Sequence, residues 1–337
     1  MKVLVYFKPR EKYDNFEGAR LRKSIKGALE VSGIEYVSSD KEEYDIAQFM
    51  SLNEESKINQ CLEKHIPVVI AALYCESDPS ASFLRYKNTK YHHKLQLSKQ
   101  AVRVLNKANV VIVPSESAKE FIMNSGINTK VVVIEPTTNI TRFNSSRIDE
   151  KEIFYRYFKE DKSKRLITCL GSSDNVDGIN AFIKGAKKHP KETFYYFFQE
   201  NPRISWKIKS VIKQTTSNLH FVSIPSDDIY RSALLDADVF MYAGYDALGI
   251  ISIYEAMAAK CELIIREQPL FSDLLIDGEN CHIGKYSETI SSILNDCLSG
   301  KISPTKDNAF IDATKRGLDV LGDELRVVYE ELLDNKE

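Results

Sequence analysis

Short, uninterrupted runs of Val, Ile and Leu recur along the chain, separated by longer stretches in which apolar residues return every three or four positions. Runs at 3–7, 68–74, 109–114 and 130–135 predict strands, with a weaker one at 44–49. Between them, 21–32, 56–64, 95–107 and 116–125 predict helices. In the first of these Leu21, Ile25, Leu29 and Val31 supply the apolar positions, and Gly126 closes the last. Continuous Val/Ile runs alternating with helices mark a parallel sheet covered on both faces. Residues 144–164 break the rhythm, being dense in charge and without a buried-strand run. It restarts with strands at 166–170, 193–198, 219–224, 239–242 and 262–266, and helices at 178–187, 204–215, 229–235 and 250–259. Helices at 287–298 and 308–333 finish the chain. Two successive βαβαβ arrays predict an α/β protein of two Rossmann-like, doubly wound parallel-sheet domains. The expected domains are 1–160 and 161–337, with the last helix packing back on the first domain. Ligand is expected beyond the carboxyl ends of the strands, in a central cleft.

Length agrees with two cores, because 337 residues exceed the size at which one core keeps growing. A chain 43% hydrophobic and 28% charged is neither disordered nor collagen-like. Its formal net charge of −2 excludes a globally basic nucleic-acid binder. The longest apolar runs fall far short of the ~18–20 residues that span a bilayer. The opening Met-Lys-Val-Leu-Val-Tyr-Phe reads as a buried strand, its apolar part too short for a signal peptide. Cys61, Cys75, Cys169, Cys261, Cys281 and Cys297 form no Cys-x-x-Cys pair and have no His at zinc-finger spacing. They read as reduced thiols in a cytoplasmic protein, with no metal and no cofactor expected.

One segment departs from the even charge balance. Between 79 and 115 there is no acidic residue, while Arg85, Lys87, Lys90, Lys94, Lys99, Arg103 and Lys107 lie among Phe83, Leu84, Tyr86, Tyr91, Leu95 and Leu97. Cations beside aromatics on a nearly neutral chain predict a directed face for an anionic membrane surface or an acidic partner. No RNA- or DNA-reading motif accompanies it, so nucleic acid is not expected as a partner.

The segment with the most specific pattern is Asp246-Ala-Leu-Gly-Ile-Ile-Ser-Ile-Tyr-Glu255-Ala-Met-Ala-Ala-Lys260. With Ala233–Asp238 and the following Val-Phe-Met-Tyr, with Asn109–Glu120, and with Asp277-Gly-Glu-Asn-Cys, it resembles the GT-B glycosyltransferases. Within them it is similar to the large retaining family whose motif is Glu, seven residues, Glu, then Ala-Met-Ala. The resemblance covers nearly the whole chain and is greatest to bacterial diacylglycerol glucosyltransferases. It implies transfer of a hexose from a nucleotide-sugar, a UDP-sugar, to a lipid or lipid-linked acceptor with retention, on the inner face of the membrane. It also implies roles: Glu255 for the donor ribose, the Ile250 and Ile251 amides for the diphosphate, and Asp246 for the sugar. Gly249, Gly171 and Ser172 would line the donor side, and Gly18 and Arg20 the acceptor side. A helix start offers N–H groups and a positive dipole end to a diphosphate, and Gly249 lets backbone come close.

The departures from that pattern carry chemistry too. The first family carboxylate falls on Ala247, with Asp246 one position earlier. After the first strand of the second domain the family carries Arg and Lys; here 171–178 holds Asp174 and Asp177, which read as caps for the following helix. Each missing charge-assisted contact is worth ~1.5–3 kcal/mol. The run 68–78 holds no His where lipid glucosyltransferases of the resembling family carry one, the first-domain glycine loop is reduced to Phe16-Glu-Gly-Ala-Arg20, and 135–143 lacks the family's Gly and Asp. Retaining transfer leans on electrostatic support of the leaving phosphate, so no catalytic base can be named. The losses imply an alternative, an inactive glycosyltransferase-like subunit supporting an active paralogue or a substrate protein.

Overall fold

A computed structural model describes residues 1–7, 17–50, 52, 54–74, 84–89, 92–143, 152–171, 176–198, 206–213, 216–243 and 250–334; at 17, 84–89, 92–95, 176–177 and 206–208 it describes the backbone. The chain forms two compact units. One holds β1 (Lys2–Tyr6), α1 (Glu17–Val31), β2 (Glu35–Val37), β3 (Ile46–Phe49), α2 (Glu55–Glu63) and β4 (Val68–Ala71). It continues with β5 (Leu84–Thr89), β6 (His92–Leu97), α3 (Lys99–Leu105), β7 (Val110–Val113), α4 (Glu116–Asn124) and β8 (Lys130–Val133). The other begins with α5 (Ile140–Phe143), α6 (Ile153–Phe158), β9 (Leu166–Gly171), α7 (Val176–Lys188), β10 (Thr193–Phe198), α8 (Trp206–Ile212) and β11 (Leu219–Ser223). It ends with α9 (Asp227–Asp236), β12 (Val239–Tyr242), α10 (Ile250–Ala258), β13 (Glu262–Arg266), β14 (His282–Gly284), α11 (Ser287–Leu298) and α12 (Lys306–Thr314). The last helix, α13 (Leu318–Asp334), belongs to the first unit.

Each unit is built on a six-stranded parallel sheet, ordered β2-β1-β3-β4-β7-β8 in one and β11-β10-β9-β12-β13-β14 in the other. The α/β, doubly wound reading of the sequence holds for both. The central strands are buried along their whole length, as continuous Val/Ile runs require. In β10 the consecutive aromatics fill two layers. Phe194 meets Phe182 of α7 at 5.3 Å, while Tyr195 meets Phe154 of α6 at 4.8 Å on the opposite face. That aromatic run is core, as its strand composition predicts.

Several elements differ from the sequence expectation. The helix expected over 95–107 begins at Lys99, because residues 92–97 pair as β6 with β5 in an antiparallel hairpin. The segment His93-Lys94-Leu95-Gln96-Leu97 alternates with period two at its end, a strand signal overridden by the helical spacing beyond it. Ser98 marks the true helix start, its hydroxyl accepting from the Ala101 N–H at 3.0 Å. The charged stretch 144–164 contains α6, a short helix bounded by Glu152 and Lys159, both at positive φ. The helix expected over 308–333 is two helices, broken at residues 315–317, which carries α12 in one unit and α13 in the other. Three-residue edge strands β2 and β14 were too short to register as runs.

The compact units therefore do not follow a single cut of the chain at 160. Residues 139–160 join the second unit because Phe154 packs on Tyr195 and the Phe154 N–H donates to Ser232 Oγ at 2.9 Å. Residues from Arg316 onward join the first because α13 lies along α1. Gly322 allows the approach, since a Cβ there would collide with the Ala28 carbonyl and Ser32. The five described cysteines are free thiols, four of them buried.

Candidate functional site

In the second unit the strand order, renumbered within the sheet, is 3-2-1-4-5-6, and it reverses between β9 and β12. In open parallel sheets a ligand crevice lies beyond the carboxyl ends of the two strands at such a reversal. The residues singled out in the sequence come from these strand ends. Gly171 is the last residue of β9, and α10, which begins at Ile250, is the helix that follows β12.

Gly171 has a packing role of its own, because a Cβ there would collide with Tyr196 Oη on the neighbouring strand. Helix α10 is buried along its entire length, and its mean character is apolar. Glu255, on its second turn, is 2% exposed. A solvated helix carboxylate would be exposed, so the burial separates Glu255 from that reading. Ile250 and Ile251 occupy the first turn, where helix N–H groups have no partner within the helix. Asp246, Gly249, Ser172 and Asp174 lie outside the described residues, as does the side chain of Asp177.

A residue that the motifs did not single out stands at the same strand ends. Arg266, the last residue of β13, is 1% exposed; its Nε donates to the Ala243 carbonyl and its Nη1 to the Lys285 carbonyl, each at 3.0 Å. The available signal was a cation closing the apolar run Leu-Ile-Ile of β13.

In the first unit the strand order reverses between β1 and β3. Helix α1 follows β1, and Gly18 and Arg20 lie on its first turn. Gly18 is half-buried and Arg20 is 5% exposed, so neither is a surface residue. Ser24 on the same helix donates its hydroxyl to the Thr137 carbonyl, anchoring α1 to the segment after β8.

The basic segment resolves into parts with different roles. Strands β5 and β6 pair Arg85 with Gln96, Lys87 with Lys94 and Thr89 with His92, so these positions share one face of the ladder. Leu84 with Leu97 and Tyr86 with Leu95 share the other. At the hairpin base Gln96 is exposed and Leu97 buried. Lys90 lies outside the described residues, and for Arg85, Lys87 and Lys94 the backbone alone is described. Lys99 is exposed on α3. Arg103, expected on the same face, grips Glu55 of α2 instead: Nε and Nη2 donate to Oε1 and Oε2 at 3.1 and 2.6 Å. Lys107 Nζ reaches the same carboxylate at 2.7 Å. Hydrogen bonds from Arg103 and then Lys107 hold the Glu55 carboxyl down to about 2. These two cations are therefore paired within the unit. Among the described residues no helix is long and apolar enough to cross a membrane.

Residues 81–136, from before the hairpin to beyond β8, match the family model described as "Glucosyltransferase 3-like, N-terminal domain". The whole chain is 22% identical over 340 residues to a processive diacylglycerol alpha-glucosyltransferase of Acholeplasma laidlawii, covering 100% of both sequences. The crystal structure of Anabaena HepE in complex with UDP-glucose superposes with a TM-score of 0.73 at 14% identity, covering 98% of this chain and 100% of that one. A glycosyltransferase structure from Rickettsia africae gives a TM-score of 0.64 at 13% identity, covering 99% of each chain. The resemblance read from the motifs thus holds over the full length, and the fold of this chain is GT-B.

Proposed function

We propose that this chain transfers a hexose, with retention, from a UDP-sugar to a lipid or lipid-linked acceptor at the cytoplasmic surface of a membrane. The observation that carries the reading is the buried carboxylate of Glu255 on the helix that leaves the switch point of a 3-2-1-4-5-6 sheet. A buried carboxylate beside a nucleotide crevice suits paired ribose hydroxyls, which donate two hydrogen bonds to one acceptor group. The first-turn amides at Ile250 and Ile251 suit the diphosphate. Asp246, Gly249, Gly171 and Ser172 complete the donor side in this reading, and Gly18 and Arg20 the acceptor side. Support for the donor comes from the UDP-glucose bound by HepE, and support for the acceptor from the name of the Acholeplasma relative.

The membrane part of the reading rests on the hairpin. Lys87 and Lys94 are directly opposite each other, a like-charge pair that costs stability unless an anion lies across it. Each cation near an anionic leaflet contributes ~1 kcal/mol.

Calorimetric titration with UDP and UDP-glucose tests the donor site. A dissociation constant below about 100 μM supports it. No heat up to millimolar nucleotide would remove it. Incubation with UDP-glucose and diacylglycerol vesicles then tests transfer, with the anomeric proton coupling of the product reporting retention. The second reading, an inactive subunit that supports an active paralogue, is favoured by Asp174 and Asp177 standing where the resembling family carries cations. Nucleotide binding without transfer to any lipid acceptor would select it.

A further inference from the structure

The strand ends beside α10 hold a buried cation to which the motif resemblance assigns no role. We infer that Arg266 is a positioning residue for nucleotide-sugar binding, an inference that rests on the UDP-sugar reading above. In the sheet, Tyr242 of β12 pairs with Ile265 of β13, and Arg266 pairs with Gly284 of β14. The β12–β13 ladder stops at that row. Ala243, level with Arg266 and one residue past the ladder, is where β12 hands the chain toward α10. The Arg266 guanidinium bonds the Ala243 carbonyl at 3.0 Å and the Lys285 carbonyl, one residue past β14, also at 3.0 Å. One side chain therefore ties together three strand exits at the point where backbone pairing ends.

Two physical arguments give this tie a functional purpose. Burying a guanidinium to 1% exposure is costly, and a Met or Leu would fill the volume without that cost. Its retention in an apolar strand end calls for a gain that an apolar residue cannot supply. The rigid fork of Arg is such a gain, because it can hold two carbonyls at fixed separation where a Lys holds one. Carbonyls at the carboxyl ends of parallel strands also present negative partial charge to an incoming diphosphate. Binding two of them to a cation removes that repulsion and leaves the α10 amides to face the anion.

The test compares wild type, Arg266→Met and Arg266→Lys by calorimetry with UDP, with folding checked by circular dichroism and thermal unfolding. Arg266→Met is expected to weaken UDP binding at least 10-fold in folded protein, and Arg266→Lys, which keeps the charge but holds one carbonyl, to recover part of that loss. A folded Arg266→Met that binds UDP as wild type does overturns the inference while leaving the donor reading intact. Wild-type protein that binds no UDP overturns the donor reading and this inference with it. If Arg266→Met does not fold, the wild-type Arg266 side-chain Nε–H resonance decides. It is expected to shift on UDP saturation, and an unmoved resonance overturns the inference.

Discussion

Tyr329 on α13 donates its hydroxyl to Gln48 Oε1 on β3 at 2.5 Å, and both side chains are fully buried. Burial pushes the phenol well above its ordinary range, so it remains a donor at any physiological pH. The bond fastens the last helix of the chain to a central strand of the first sheet. Tyr329→Phe is expected to lower stability by ~1–2 kcal/mol, since Gln48 Oε1 loses its donor in a dry site. Urea unfolding measures this, and an unchanged midpoint with unchanged slope would contradict it. A chain ending at Lys315 is expected to lose the first unit's fold altogether, as α1 would lose the helix that Gly322 lets approach.

A second close pair sits at the candidate donor side. Gly171 and Tyr196 are packed so tightly that an added methyl group collides with the phenolic oxygen. Gly171→Ala is expected to cost ~1–3 kcal/mol by overpacking. Tyr196→Phe in the same chain should recover part of the loss, because it removes the colliding atom. Thermal unfolding of the single and double variants checks this. A double variant no more stable than Gly171→Ala would place the strain elsewhere.

How far the molecule could be read from its sequence follows from the length of each signal. The continuous Val/Ile strands and the apolar α10 were legible because burial on two faces leaves no polar positions to confuse the period. The hairpin was not, because six-residue strands flanking a helix share its apolar residues, and Leu95 and Leu97 fit either period. Helix α6 was hidden by its charged surroundings, and its boundaries are set by two positive-φ residues rather than by composition. Glu255 was legible through the Ala-Met-Ala context, yet its burial was not. Arg266 was missed because its partners are main-chain carbonyls, which leave no mark in a sequence.

The Glu55 cluster predicts a pH dependence whose sign follows from the lowered carboxyl. Glu55 titrates at about 2 when folded and near 4.5 when unfolded, so its contribution is complete above 4.5 and is lost as pH falls toward 2. Glu55→Gln should therefore lower the urea midpoint at pH 7 and lower it less at pH 3. A gap that is the same at both pH values would show that the Arg103 and Lys107 bonds add nothing to stability.

The hairpin register predicts where a charge reversal acts. Lys87 and Lys94 oppose each other on one face of the ladder, so replacing both with Glu leaves the backbone pairing and its like-charge penalty in place while inverting the sign. Co-sedimentation with anionic phosphatidylserine vesicles should fall at least 10-fold in the double variant, at ~1 kcal/mol per cation near the leaflet and added repulsion from each new carboxylate. The dependence on salt should weaken with it. Sedimentation equal to wild type would remove the hairpin from the membrane surface. Arg103→Glu is expected to behave differently, disrupting α2–α3 packing at Glu55 and lowering stability, because that cation is already paired.

Glu255 supplies the sharpest test of the donor reading. Glu255→Gln keeps the side-chain volume inside a buried helix and removes the charge, so folding should survive better than with Ala. If the carboxylate holds the ribose hydroxyls, UDP-glucose should bind about 10- to 100-fold more weakly, the worth of a charge-assisted hydrogen bond at ~1.5–3 kcal/mol. The same substitution should then have little effect on a donor lacking both ribose hydroxyls, since the two losses would report one interaction. Titrations of both proteins with UDP and 2′,3′-dideoxy-UDP give the four constants. If Glu255→Gln weakens both ligands equally, the carboxylate acts on the fold of α10 and not on the ribose. If it weakens neither, the buried carboxylate has no part in the donor site and the nucleotide crevice must be sought at another strand end.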